Sequence, residues 1–420
     1  ALTAFANQEA EGHFRNALSR ATTDAARAEA CAGLGIAVAR QSRYLEAITI
    51  WSEGIEYAYR LHDLDLMARL YARAARAASY DDDYQEALRL CQEGVSRTSH
   101  AAEGAGLAAL LHEAGRAYHF NGISDVAYAY CERALAMAER LHAVDVQAEA
   151  LTTLAILPEQ PPAQAQLWLE LAVALAEPAG LLQTAARAHY NLSVQIITHT
   201  HDFAGARYHA QRATELAAQQ GIAAEELMFR RMLVQFDTLA GDFARAESNL
   251  ATLHQLARQS DNRAMYERYI EMHECDLLNM RGLWEESSGR LRVLLTLVDP
   301  HRERDWWVAA ATYLVAALTE MGAYSDAEVV ALNALELDMQ RIGSSAMWLY
   351  FQLCSGYAAQ RNLPRLTQTL QRLHHVRSYH LLLIRQICTA SCSRTVGGSG
   401  SVRVNVVPAP GALATEMCPP

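Results

Sequence analysis

The sequence predicts an all-α superhelical solenoid of about nine antiparallel helix pairs. Three observations carry this. Small residues recur at a nearly constant interval through most of the chain. Long segments rich in Ala, Leu, Glu, Arg and Gln alternate with short turns marked by Gly, Asp or Pro. No alternating β-branched run longer than a few residues occurs before residue 400.

Residues 1–22 read as a leading half-repeat helix, because Ala10-x3-Phe14-x2-Ala17 has the spacing of the second helix of a pair. Residues 23–378 read as the repeat solenoid. Its first pair starts at Asp24, a candidate helix cap. That pair carries Leu34-Gly35 on one helix, Tyr44 after the turn, and Ala47-x3-Trp51-x2-Gly54 on the other. The second pair repeats the pattern with Tyr84 and Ala87-x3-Cys91-x2-Gly94. The third, 111–140, is the clearest. Gly115 and Ala127 face each other so that two backbones approach, Ala134 does the same against the next helix, and Tyr118 fills the gap near Gly122.

The register then continues. Ala165 follows the proline-rich turn at Pro158, Pro161 and Pro162; Ala206 follows Phe203, Ala246 follows Gly241 and Phe243, Ser287 follows Gly282 and Trp284, and Ala327 follows Gly322 and Tyr324. From Ala47 onward the steps are 40, 40, 38, 41, 40, 41 and 40 residues. A ninth, degenerate pair runs from Ala346 to Arg377, with Leu366 at the marker position and Pro364 at the start of the second helix. Residues 379–390 read as a capping helix with an apolar outer face. Residues 391–420, rich in Gly, Ser, Val and Pro, read as a disordered tail or linker, or as the product of an altered reading frame.

Gly115-x2-Tyr118 and Ala127-x3-Cys131-x2-Ala134 resemble the tetratricopeptide repeat, with Cys131 in place of the usual aromatic residue. That family's usual step is about 34 residues. The longer step here is similar to the long-helix arrays that lie C-terminal to ATPase modules in bacterial signalling and transcription regulators. The AFANQEAEGHF text near the N-terminus resembles the helix that opens such arrays, and the chain reads as a fragment of something longer. The resemblance implies a right-handed superhelix whose first helices line a concave groove that holds a peptide or partner helix. Carried over position by position, the groove residues are Arg69, Arg76, His112, Arg116, His119, Arg187, Tyr190, Arg231, Gln235, Tyr269 and Asp276. Five are arginines, whose planar forks suit carboxylates. They also suit pairing with Glu or Asp of adjacent helices.

Composition narrows the chemistry. The 420 residues are 51% hydrophobic with a net charge of -11, which suits a soluble packed protein and gives no sign of nucleic-acid binding. All 36 basic residues are arginine, so a Walker-type phosphate loop, a Schiff-base lysine and a protein-kinase ATP site are excluded. The 8 cysteines include no Cys-x2-Cys pair and read as helix-core residues in a reducing, cytoplasmic compartment. No apolar run approaches the ~18 residues of a membrane span.

Clusters that could carry chemistry have plainer readings. His199-x-His201-Asp202 and Asp81-Asp82-Asp83 read as solvated turns, lacking the further ligands that zinc or calcium needs. His374-His375 with His380 reads as a polar helix face, and Cys388 with Cys392 as packing. Trp306-Trp307, near Arg302 and Arg304, reads as packing at a helix start, or as a stacking surface for a sugar ring. No nucleophile elbow, zincin motif or dinucleotide loop occurs. The expectation is a non-enzymatic scaffold with no catalytic, metal or cofactor site. Its expected partner is a protein or peptide, an acidic one included, or another domain of the parent chain, with no nucleic acid and no membrane. The alternative is a small-molecule effector sensor of an ATPase-type transcriptional activator.

Overall fold

The computed structural model describes residues 7–375, apart from Asp82, Glu159, His201, Ile222, 259–262, 301–302 and 339–343. Within these residues the chain forms nineteen helices: a leading helix α1 (Asn7–Arg20) and nine successive pairs. The pairs are α2 (Asp24–Ala39) with α3 (Tyr44–Arg60), α4 (Leu64–Tyr80) with α5 (Tyr84–Arg97), and α6 (Ala105–Phe120) with α7 (Ser124–Arg140). Then come α8 (Val144–Ile156) with α9 (Pro162–Ala176), α10 (Leu182–His199) with α11 (Phe203–Gln220), and α12 (Ala223–Leu239) with α13 (Phe243–Arg258). The last three are α14 (Arg263–Met280) with α15 (Trp284–Leu297), α16 (Arg304–Glu320) with α17 (Tyr324–Asp338), and α18 (Ser344–Ala359) with α19 (Leu363–His375). The fold is the expected all-α solenoid. The capping helix and tail expected over 379–420 lie outside the described residues.

The small residues do what close packing requires. Ala47, Ala87, Ala127, Ala165, Ala206, Ala246, Ser287 and Ala327 are all buried. A Cβ on Gly115 would lie 2.3 Å from the sulfur of Cys131 and 3.0 Å from the carbonyl of Ala127, so nothing larger than hydrogen fits between α6 and α7. Gly35 is the same device in the first pair, where a Cβ would meet the Trp51 ring. Helix α4 buries six alanines, which lets it lie against α3, α5 and α6 at once. Each pair therefore seals its apolar stripe against its neighbours.

Turn chemistry agrees in most places. Gly122 closes the α6–α7 turn at φ +78, a conformation costly for other residues. Asp83 and Asp202 cap α5 and α11 by accepting from the backbone N–H groups of Glu86 and Gly205, both at 2.9 Å. One expectation shifts by a residue. Thr23, not Asp24, caps α2, its hydroxyl accepting from Ala26 N–H, while Asp24 places its charge in the first turn. The five described cysteines, Cys31, Cys91, Cys131, Cys275 and Cys354, are buried. No described helix is long and apolar enough to cross a membrane.

Candidate functional site

Successive first helices α4, α6, α8, α10 and α12 present a charged belt from positions that an amphipathic pattern reserves for apolar residues. Arg76 donates to Glu113 Oε1 through Nε at 2.8 Å and to Glu149 Oε2 at 3.1 Å. Arg187 also donates to Glu149 Oε2, and Thr184 donates to its Oε1 at 2.9 Å. Arg116 lies 3.5 Å from Glu113, and His112 Nε2 contacts the Thr153 hydroxyl at 2.8 Å. Glu113, Arg116 and Glu149 are no more than 6% exposed. Burial alone would raise both carboxyls, but Arg76 and Arg116 hold Glu113 far below the usual range, and Arg187 and Arg76 do the same to Glu149.

The belt ends in a contact that spans 145 residues of sequence. The Tyr80 hydroxyl, at the end of α4, donates to Glu225 Oε1 at 3.1 Å in the first turn of α12. Gln183 of α10 donates to the same oxygen at 2.5 Å. Glu225 is buried, and burial raises its carboxyl pKa in spite of Gln183 and Arg187. The inner face is thus closed between the second and sixth pairs.

Beside this closure lies a cavity of about 140 Å³. Its walls come from both sides of the contact: Tyr44 and Tyr80 on one, Tyr266, Tyr269 and Trp306 on the other, with Leu227, Met228, Leu253, Met265 and Ile270 between them. Tyr44 stacks on Tyr80 with ring centroids 5.6 Å apart, and Tyr269 stacks on Trp306 at 3.6 Å. Arg231 lies 5.0 Å over the Trp306 ring and donates to the Tyr190 hydroxyl at 3.2 Å. His273, buried and held neutral with its pKa pushed down to about 3, completes the lining. Its two ring nitrogens, Glu225 Oε2 and Arg231 Nε are buried and have no hydrogen-bond partner among the described residues.

The sequence candidates distribute as follows. Arg76, His112, Arg116 and Arg187 meet in the belt. Arg231 and Tyr269 line the cavity, with Tyr190 behind Arg231. Gln235 follows one turn after Arg231 on α12. Asp276 follows His273 on α14; it is half-buried, and burial pushes its carboxyl up to about 7. Arg69 pairs with Asp65 at 2.9 Å in a half-exposed position, and His119 lies against the Phe120 ring, over which Arg116 also sits. Sequence reasoning missed Glu113, Glu149, Glu225, Tyr80 and His273. A signal existed for the carboxylates: each interrupts an Ala- or Leu-rich inner face near the register of Arg76 and Arg187. Of the tryptophans, Trp306 lines the cavity, while the indole of Trp307 donates to Leu295 O.

No group of three or more His, Cys, Asp or Glu residues among those described could hold a metal ion. His201, Asp82, His380, Cys388 and Cys392 lie outside the described residues.

No family model matches the sequence, and no curated protein matches it either. Among solved structures, a Rap protein complexed with competence and sporulation factor superposes with a TM-score of 0.59 at 12% identity, over 84% of this chain and 97% of that one. BtubC from P. vanneervenii gives a TM-score of 0.40 at 20% identity, over 51% of this chain and 90% of that one. Yeast Tom70 gives 0.39 at 11% identity, over 93% of each chain. The likeness to the Rap protein is one of fold, a tetratricopeptide-like helical-repeat solenoid.

Proposed function

We propose that the chain is a non-enzymatic scaffold that receives a segment of another protein, or of its own parent chain, on the inner face of the solenoid. The observation that carries this reading is the cavity of about 140 Å³ beside the Tyr80–Glu225 contact, lined by five aromatic side chains that come from the first and second pairs and from the far side of that contact. The fold-level likeness to a Rap protein complexed with a factor supports the same reading. On this reading the chain is the regulatory repeat region of a larger bacterial signalling or transcription-regulating protein in the cytoplasm. Preference for an acidic segment is not favoured, since Arg76 and Arg187 are already paired with Glu113 and Glu149.

The modest volume of the cavity favours a second reading, a small-molecule effector sensor. A thermal-shift screen of the full chain separates the two. Defined short peptides are run beside sugars, nucleotides and amines, at low and high salt. A ligand present at a hundred times its Kd stabilises the folded state by about 2.7 kcal/mol, which such a screen detects. Scaffold function predicts responses among peptides that vanish in Tyr266→Leu. Responses confined to one small molecule establish the sensor instead, and a flat result in both sets defeats both readings.

A further inference from the structure

The cavity beside the Tyr80–Glu225 contact offers an entrant mainly carbon. Five of its thirteen side chains are aromatic, in a chain that is 8% aromatic, and five more are leucine, isoleucine or methionine. That enrichment sets the space apart from the alanine-rich packing elsewhere in the solenoid. The three remaining side chains have their polar atoms engaged or closed off. Glu225 accepts from Tyr80 and Gln183 through Oε1, and its Oε2 is closed off from accessible space. Arg231 lies over the Trp306 ring and donates to the Tyr190 hydroxyl, with its Nε closed off. Both ring nitrogens of His273 are closed off as well. A charged entrant would give up its hydration here for a carboxylate already engaged and a guanidinium already stacked, so its desolvation is not offset.

Size and ring geometry narrow the occupant further. The volume of about 140 Å³ is close to that of apolar cavities known to take one benzene (~150 Å³). The lining rings lie in more than one plane. Tyr44 and Tyr80 are stacked at 28°, Tyr269 and Trp306 at 13°, and Tyr266 stands at 81° to Tyr269. A ring among them can meet one wall offset and another edge to face, the two arrangements that aromatic pairs prefer. Met228 and Met265 add thioethers, which adapt in shape and attract ring edges. Charge on the surrounding inner face is satisfied internally, since Arg76 and Arg187 pair with Glu113 and Glu149. A segment lying on that face is therefore held by what it buries rather than by its charge.

We propose that the cavity takes one uncharged, single-ring aromatic side chain of the partner segment and so anchors that segment. The proposal rests on the scaffold reading and names the feature of the partner that the site selects. Phenylalanine and tyrosine suit both the volume and the lining. A trimethylated lysine would also suit aromatic faces, but its charge would enter a lining that already holds the Arg231 guanidinium. An alanine would leave the space unfilled. Recognition by burial is screened little by salt, unlike recognition by exposed charges.

Isothermal titration calorimetry on the full chain tests this with three capped tripeptides and one free ring. The peptides are Ac-Ala-Phe-Ala-amide and its analogues with Ala or trimethyl-lysine in the middle, and the free ring is benzyl alcohol. The Phe peptide is expected to bind, and both analogues to be weaker by about tenfold or more, the factor for withdrawing a buried ring. Its affinity is expected to change by less than about twofold between low and high salt. Met265→Trp, which fills the cavity, is expected to abolish binding of the Phe peptide, and Tyr266→Leu, which removes one ring of the lining, to weaken it. Circular dichroism checks the helical content of both variants. Trimethyl-lysine binding as tightly as Phe, a steep fall with salt, or Phe-peptide binding that survives Met265→Trp in a folded chain overturns the proposal and leaves the scaffold standing. Benzyl alcohol binding without Phe-peptide binding overturns it in favour of the effector sensor. Binding of no probe by a folded chain overturns it outright, while the scaffold reading is still judged by the peptide screen.

Discussion

Glu149 is the residue through which the internal belt can be tested most directly. It is buried, accepts from Thr184 at 2.9 Å, and binds Arg76 and Arg187 through the same oxygen. Glu149→Met keeps the volume and removes the charge. Arg76 retains Glu113, but Arg187, whose side chain is only 11% exposed, has no other carboxylate within ion-pair distance among the described residues. Stranding one partner of a buried pair costs about 3–5 kcal/mol, whereas replacing both by apolar groups of similar size is often neutral. Glu149→Met is therefore expected to lower stability by about 3 kcal/mol in urea unfolding at pH 7, and Glu149→Met with Arg187→Met to recover most of that loss. The sign of the pH dependence follows. The folded-state pKa of Glu149 lies below its unfolded value near 4.5, so its contribution is present above that pH and is lost as pH falls toward the folded value. The single variant should flatten acid destabilisation in that window. A single variant within about 0.5 kcal/mol of the parent, as for an ordinary surface change, would refute a buried belt.

Other consequences follow from individual positions. Gly115→Ala should destabilise by about 1–3 kcal/mol, because its Cβ meets the Cys131 sulfur and Ala127 carbonyl; Cys131→Ala in the same chain should restore part of the loss, measured by denaturant midpoint. His142, at φ +53 in a turn, occupies a conformation that glycine adopts freely, so His142→Gly should stabilise by about 0.5–1 kcal/mol in the same assay. Asp276 has a raised folded pKa of about 7, so its protonated form favours folding below pH 4, and that advantage is lost as pH rises through 7. Asp276→Asn should therefore gain about 2 kcal/mol at pH 8 relative to the parent, a figure discounted for partial exposure, and flatten the profile between pH 4 and 7.

The repeat was legible because backbone proximity writes itself into sequence. Where two helices approach as closely as α6 and α7, only glycine and alanine fit, and the same demand returns with every pair. Half of the belt was legible for a related reason: Arg76, Arg116 and Arg187 stand at inner positions beside the small residues. Their partners were written less plainly: Glu113 and Glu149 interrupt apolar faces near the register of Arg76 and Arg187, but each taken alone looks like the solvated glutamates that decorate any helix. Only the packing of α4, α6, α8 and α10 against one another shows that these carboxylates are enclosed. His273 gave no signal, since a lone histidine on an apolar helix reads as core. The cavity was beyond reach altogether. Tyr80 and Glu225 meet because small rotations accumulate over four successive pairs, and no local spacing encodes that sum.

That accumulated closure bears on how the inner face would respond to a partner. In a solenoid, stability is approximately a sum of terms between neighbours, so a change in one pair is felt mainly by the next. The Tyr80–Glu225 contact breaks this locality, tying the end of α4 to the start of α12. Tyr44 and Tyr80 face Tyr266, Tyr269 and Trp306 across the same gap. Whatever fills the cavity touches both sides and so favours the closed superhelix over any opened one by the difference in its affinities for the two. The converse also holds. Tyr80→Phe removes the hydrogen bond to Glu225 and the one accepted from Gln183 but no wall, so it should loosen closure, and a ligand that binds only the closed form should lose affinity by the factor by which the closed population falls. A Tyr80→Phe chain whose closure loosens, by small-angle scattering, while its affinity for a cavity ligand stays unchanged would separate the two and place the ligand on one side of the gap alone.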